Sequence, residues 1–225
     1  MPDVTHALAV VLAFTLAITV HEFSHAAAAY TLGDSTAKRA GRLSLNPIRH
    51  LDPLGSLLLL IIVFTGTPGI GWGKPVPVQP WHLRGERRGM ALVSAAGPAS
   101  NVLLAVMTLS IDSLLAAYNL PLPQWTEAIL SAVISVNIGL AAFNFLPLPP
   151  LDGFSLAVGL LPQRAAMALA SIERYGPGIL LLLVFAPSII RIDLLSIVLR
   201  PLFSAVSALV YFGSALVTYL LTIGG

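Results

Sequence analysis

Long apolar runs separated by short polar stretches dominate the chain. Residues 4–32 form the first run, which stops at Gly33-Asp34, a helix-ending signal. Residues 90–118 form the second, interrupted by AAGPASN at 95–101, and residues 125–146 form the third. Two further runs cover 177–190 and 194–223, after a polar loop marked by Arg164, Glu173 and Arg174. Apolar runs beyond roughly 18 residues are long enough to cross a bilayer as helices. LGSLLLLIIVFTG, residues 54–66, is apolar but short for a full crossing. STAKRAGRLSLNPIRHLDP precedes it, with turn signals at Gly41, Asn46-Pro47 and Asp52-Pro53, and predicts short extended segments. TPGIGWGKPVPVQPWHLRGERRG follows it and is too rich in Gly and Pro for a regular helix. The pattern predicts an all-α polytopic membrane protein with about five to six transmembrane or re-entrant segments around a three-helix core. Short extended segments are expected in the loop after the first helix.

Composition sharpens this picture. Only 10% of the 225 residues are charged and the mean hydropathy is +0.88, whereas a soluble domain carries about 25% charged residues. A single integral-membrane domain over 1–225 is expected, with a core at about 4–160 and C-terminal helices at about 174–223. Eight of the twelve Lys and Arg lie between Lys38 and Arg88. Such clusters beside apolar spans read as positive-inside loops, not as a nucleic-acid surface. The first run has no Lys or Arg before Lys38 and is long for a signal-peptide core, so it is expected to be a retained helix. The absence of cysteine excludes disulfides, thiolate metal sites and a cysteine nucleophile.

The first run contains one stretch that lipid would not tolerate without a reason. VHEFSHAAAAY, residues 20–30, places His21, Glu22 and His25 in an otherwise apolar helix. Charged groups at that depth cost about 2.5–3.5 kcal/mol each on insertion scales and usually face a cavity. HExxH spacing sets two imidazoles one turn apart on one face, able to reach one metal, with a carboxylate beside them. The plainer alternative is two histidines bonded to neighbouring helices. A catalytic metal usually takes three protein ligands, and His6, His50, His82, Asp112, Glu127 and Asp152 are the candidates for the third. Asp152 lies near the end of NFLPLPPLDG, residues 144–153, whose prolines forbid continuous helix. Irregular backbone at membrane depth is tolerated where it is buried in protein or lines a cavity. The alternative there is an ordinary proline-rich turn ending in an Asp-Gly cap. Asn101 and Asn137 read as hydrogen-bonders between helices, and Gly97-Pro98 as a close approach with a local kink.

HEFSH followed by NFLPLPPLDG resembles the site-2 protease family of intramembrane zinc metalloproteases. GRLSLNP, HLDPLGS, GWGKPVPVQP and AAGPASN are similar to words in its short prokaryotic members, which lack PDZ and CBS modules. The resemblance spans about residues 15–155. It implies His21, His25 and Asp152 as ligands of one Zn2+ per chain, Glu22 as the catalytic general base, and Asn144 as substrate or transition-state support. It further implies hydrolysis of peptide bonds in or near transmembrane segments of substrate proteins, in regulated intramembrane proteolysis. The setting would be a prokaryotic cell (inner) membrane, with the active site toward the cytoplasm. The partners expected are transmembrane protein substrates and the lipid bilayer, without nucleic acid. Two competing functions are a metal-binding membrane transporter and a catalytically silent scaffold. The first would call for repeated halves and more acidic residues along a path, and Glu22 argues against the second.

Overall fold

A computed structural model describes residues 4–67 and 69–223, and all regular structure among them is helical. Three helices make the centre: α1 (Val4–Thr31), α4 (Glu86–Ala117) and α5 (Gln124–Asn144) pack mutually. Two short helices, α2 (Thr36–Arg39) and α3 (Pro53–Thr65), lie between the first two. After the centre come α6 (Asp152–Leu160), lying along α4, then α7 (Gln163–Ala170), α8 (Gly176–Ile190) and α9 (Leu194–Ile223), the last resting on α4 and α5.

The packing reverses the pattern of a soluble bundle. Along α1, Val4, Leu8, Leu12 and Leu16 point outward at four-residue spacing, while Ala9, Ala13 and Ala17 are buried. Ala9 and Ala13 meet Ala132 and Val133 of α5, with Leu104 of α4 against them. A second cluster joins α4, α5 and α9 through Ala105, Ala141, Ala142, Val206 and Val210. Lipid tails are as apolar as leucine, so helix association in a membrane depends on close backbone approach, which small residues permit. Among the described residues, five helical stretches are long and apolar enough to cross a membrane: α1, α4, α5, Gln163–Ala186 and α9.

Three details differ from the sequence pattern. First, α4 runs unbroken through AAGPASN, with Pro98 inside it. Proline deletes one ladder bond but does not end a membrane helix that neighbours support on all sides. Second, Arg164 lies in the helix α7, and Glu173 and Arg174 lie in a 3-10 turn, Glu173–Tyr175, that joins α7 to α8. Third, the extended segments after the first helix reduce, among the described residues, to one antiparallel bridge between Leu51 and Gly73. Asn46-Pro47 and Asp52-Pro53 start helical turns instead, their side chains accepting from amides just ahead.

α3 has 13 residues, about 20 Å at 1.5 Å per residue, short of the roughly 30 Å hydrocarbon core. Asp52 caps its start and Gly66, at φ 68°, ends it. The chain then returns along it: Gly69 abuts Ile62, Gly71 abuts Leu59, and the Trp72 carbonyl sits on Gly55. The return continues as KPVPVQP, residues 74–80, and is pinned to the end of α1 by Asp34. The fully buried Asp34 carboxylate accepts from the Gln79 amide at 2.7 Å and the Thr36 amide at 2.9 Å. Burial works against ionisation of Asp34, but these bonds, with His82 beside them, hold its pKa below the ordinary carboxylate value.

Asp34→Ala leaves the Gln79 and Thr36 amides without their acceptor, at roughly 1–3 kcal/mol for each donor that stays buried. The expected outcome is a lower melting temperature in detergent and faster proteolytic nicking within residues 66–80. Because the folded-state pKa is depressed, the contribution of Asp34 is complete at neutral pH. It is lost only as pH falls below the ordinary carboxylate range, so the variant and the parent should converge in stability in strong acid.

Candidate metal centre

The centre begins one turn past the middle of α1. His21 and His25 present their rings at right angles, with centroids 4.5 Å apart. Each ring is held from behind by α4. His21 Nδ1 lies 2.7 Å from Asn101 Oδ1, and His25 Nδ1 lies 2.7 Å from the Val93 carbonyl oxygen. Both partners are acceptors, so both Nδ1 atoms carry the proton and donate. The two Nε2 atoms, 3.0 Å apart, then face each other as bare lone pairs.

Asp152 completes the arrangement. α5 ends at Asn144, the proline-rich turn 145–151 follows, and α6 opens on Asp152. Asp152 Oδ2 lies 3.1 Å from His21 Nε2 and 3.2 Å from His25 Nε2. This oxygen is buried and accepts no hydrogen bond among the described residues, because the nitrogens it faces hold their protons on the other side of the ring. Three electron-pair donors thus converge within 4.8 Å of one another. Uncompensated, they would repel in a buried site. Ligands about 2.0–2.1 Å from one tetrahedral ion are about 3.3 Å apart, so the donor set fits a small cation of the zinc type.

A cavity of about 390 Å³ opens beside these donors. Glu22, Asn144, Trp72, Val76, Val78 and Leu181 are among the residues that line it. Glu22 is buried next to the donor set without belonging to it, its Oε2 4.0 Å from Arg42 Nη2. Asn144 closes α5 at the cavity wall and donates from Nδ2 to the Leu140 carbonyl at 3.0 Å. A larger cavity of about 670 Å³ lies at the far ends of α4 and α5, lined by Asp112 and Glu127, and contains none of the three donors. The other candidates for a third ligand are also elsewhere. His50 donates to the Ser44 carbonyl at 2.6 Å, and His82 lies 3.5 Å from Asp34.

Arg42 joins the loops on either side of α3. Its guanidinium is buried and donates to the Pro75 carbonyl at 3.0 Å and to the Lys74 carbonyl. The Lys74 amide in turn donates to the His50 carbonyl at 2.7 Å. Burial draws the Arg42 pKa down, and the Glu22 carboxylate opposes that. The KPVPVQP segment is thereby fixed as a wall of the cavity on the Glu22 side.

Sequence patterns do not disclose the roles of Asn101, Val93, Gly97 and Arg42 in this centre. Gly97 has the clearest signal, a glycine within a helix that also bears proline. A Cβ on Gly97 would lie 2.6 Å from His21 Cε1 and against His25 Nε2. The α4 backbone can therefore lie directly against the imidazoles at position 97 only because no side chain stands there.

Curated relatives cover most of the chain. It is 38% identical over 181 residues to "Putative zinc metalloprotease YwhC" of Bacillus subtilis, spanning 79% of this chain and 80% of that protein. Rip2 of Mycobacterium tuberculosis, which bears the same metalloprotease description, is 32% identical over 181 residues, spanning 80% of this chain and 68% of Rip2. Rip2 of Mycolicibacterium smegmatis is 29% identical over 183 residues, spanning 81% and 68%. No family model matches the chain, and no solved structure matches it.

Gly97→Ala should displace both imidazoles. Overpacking of this kind costs about 1–3 kcal/mol, here taken from the geometry of the donor set. Metal titration of the purified variant is expected to show affinity at least about tenfold weaker, while the helical circular-dichroism signal is retained.

Proposed function

The chain belongs to the zinc metalloprotease family of YwhC and Rip2, and from that we propose that it is an intramembrane protease of the site-2 type. It would hydrolyse peptide bonds in or near transmembrane segments of other membrane proteins. The observation that carries this reading is the convergence of His21, His25 and Asp152, with Glu22 beside them, among helices of membrane-spanning length. His21, His25 and Asp152 would hold one zinc per chain. Zinc in that position supplies a Lewis acid that activates water and polarises the scissile carbonyl.

The remaining chemistry falls to the chain's own residues. Glu22 accepts the proton of the attacking water and returns it to the leaving amine. Asn144 stands on the cavity wall, where it supports the substrate backbone. A transmembrane helix hides its carbonyls in its own hydrogen bonds, so the substrate must unwind before it reacts, and an unwound strand needs new partners. KPVPVQP is suited to provide them. Prolines hold it extended and remove the amide donors at Pro75 and Pro77. Val76 and Val78 keep theirs, without a partner among the described residues, two residues apart and therefore on one side. A substrate strand can add to that edge.

The charge distribution supports a site that opens toward the cytoplasm of a prokaryotic cell. The basic loops 34–52 and 74–88 flank α3, which is too short to cross, so both lie on one side. The turn between α4 and α5 carries no Lys or Arg and faces outward.

Cleavage of single-span substrates by the detergent-purified protein tests the activity. Glu22→Gln is expected to fold and load zinc, yet to fall by roughly 10²–10⁴-fold in rate, and a chelator should abolish the parent's activity. Near-normal hydrolysis by Glu22→Gln would remove Glu22 as the base. Topology is tested separately, since the chain has no native cysteine. Arg49→Cys and Arg88→Cys should react with an impermeant thiol reagent from the same face, and Leu120→Cys from the other. Labelling of Arg49→Cys and Arg88→Cys from opposite faces would mean that α3 crosses.

A further inference from the structure

Asn101 and Asn137 are both fully buried, on adjacent faces of α4 and α5. Every bond they make has a fixed direction. Asn101 Nδ2 donates to the Ala17 carbonyl at 3.1 Å and to Asn137 Oδ1 at 2.8 Å. Asn137 Nδ2 donates to the Val133 carbonyl at 2.8 Å. Asn101 Oδ1 is then left to face His21 Nδ1 at 2.7 Å, and an oxygen there can only accept.

The opposite amide orientation makes the importance of this order clear. With Asn101 reversed, its Nδ2 would face His21 Nδ1 and demand a lone pair there. The ring proton would move to Nε2, which would donate to Asp152 and lose the electron pair that a cation needs. The reversed Asn101 oxygen would also confront two acceptors, the Ala17 carbonyl and Asn137 Oδ1. Asn137 therefore favours one orientation of Asn101, and Asn101 favours one tautomer of His21.

We propose that Asn137 and Asn101 are positioning residues that act in series to hold His21 in the Nδ1–H tautomer, keeping Nε2 free to bind the metal. This inference rests on the zinc-centre reading given above. It assigns a role at the centre to Asn137, whose hydrogen bonds go to Asn101 and Val133 rather than to the three donors.

The test uses the full-length protein in detergent, with zinc affinity measured by chelator competition and the His21 tautomer read from imidazole ¹⁵N shifts of the zinc-free form. Asn101→Leu should weaken zinc binding about 10–100-fold, as loss of an outer partner of a ligating histidine does, and should abolish the Nδ1–H preference. Asn101→Asp retains an acceptor toward His21 and should keep the Nδ1–H preference, although its second oxygen meets the Ala17 carbonyl and Asn137 Oδ1. Asn137→Leu should shift both readouts in the same direction as Asn101→Leu. Unchanged affinity and tautomer in Asn137→Leu would overturn the series arrangement, and this variant decides alone if Asn101→Leu fails to fold. His21→Ala separates the two levels of the argument. If it keeps full zinc affinity, the zinc centre itself is misassigned. If it loses zinc while both leucine variants retain it, only the positioning role fails.

Discussion

The structure depends on one constraint: three electron-pair donors must face a common point in the interior of a bundle of apolar helices. Lone pairs that converge without a proton between them repel, and burial strengthens the repulsion. The fold accepts this cost by fixing each donor from behind. His21 is fixed by an amide on α4, His25 by a carbonyl on α4, and Asp152 by the start of α6. α4 thus serves less as a membrane anchor than as the template against which the imidazoles are aligned.

The template works because α4 can come very close to α1. Small residues bring the three central helices together throughout, and Gly97 takes that to its limit beside the imidazoles. Pro98 comes next in the chain, and its missing N–H leaves the Ser94 carbonyl without its ladder donor. Large aliphatic residues are kept for the lipid side, so hydrophobicity alone distinguishes inside from outside poorly in these helices. Residue volume separates the two far better.

That explains what the sequence discloses and what it withholds. Helix positions were legible because the bilayer demands long apolar runs. HEFSH was legible because both imidazoles lie one turn apart within a single local word. Asp152 could be picked out because prolines break the helix just before it. Asn101 could be recognised as a polar group joining helices, but not its partner, since His21 lies 80 residues away in sequence. Arg42 resembled the other cations of a basic loop, and only the folded chain places it against the carbonyls of Lys74 and Pro75. Pro98 and the stretch around Arg164 depart from the sequence pattern for one reason: neighbouring helices and membrane-scale hydropathy outweigh local helix-breaking and polar signals.

The start of α8 has a consequence of a different kind. Gly176 lies directly against Pro149, in the turn that leads to Asp152, and Leu180 and Leu181 of the same helix line the cavity. One wall of the cavity and the turn carrying the third donor therefore meet at one contact. A displacement of α8 that lifts Gly176 alters the packing of the turn carrying Asp152. By thermodynamic reciprocity, whatever free energy metal binding contributes to holding that turn is also contributed to holding α8. With Asp152 holding the ion as proposed, opening of the cavity wall and grip on the metal would be opposed quantities.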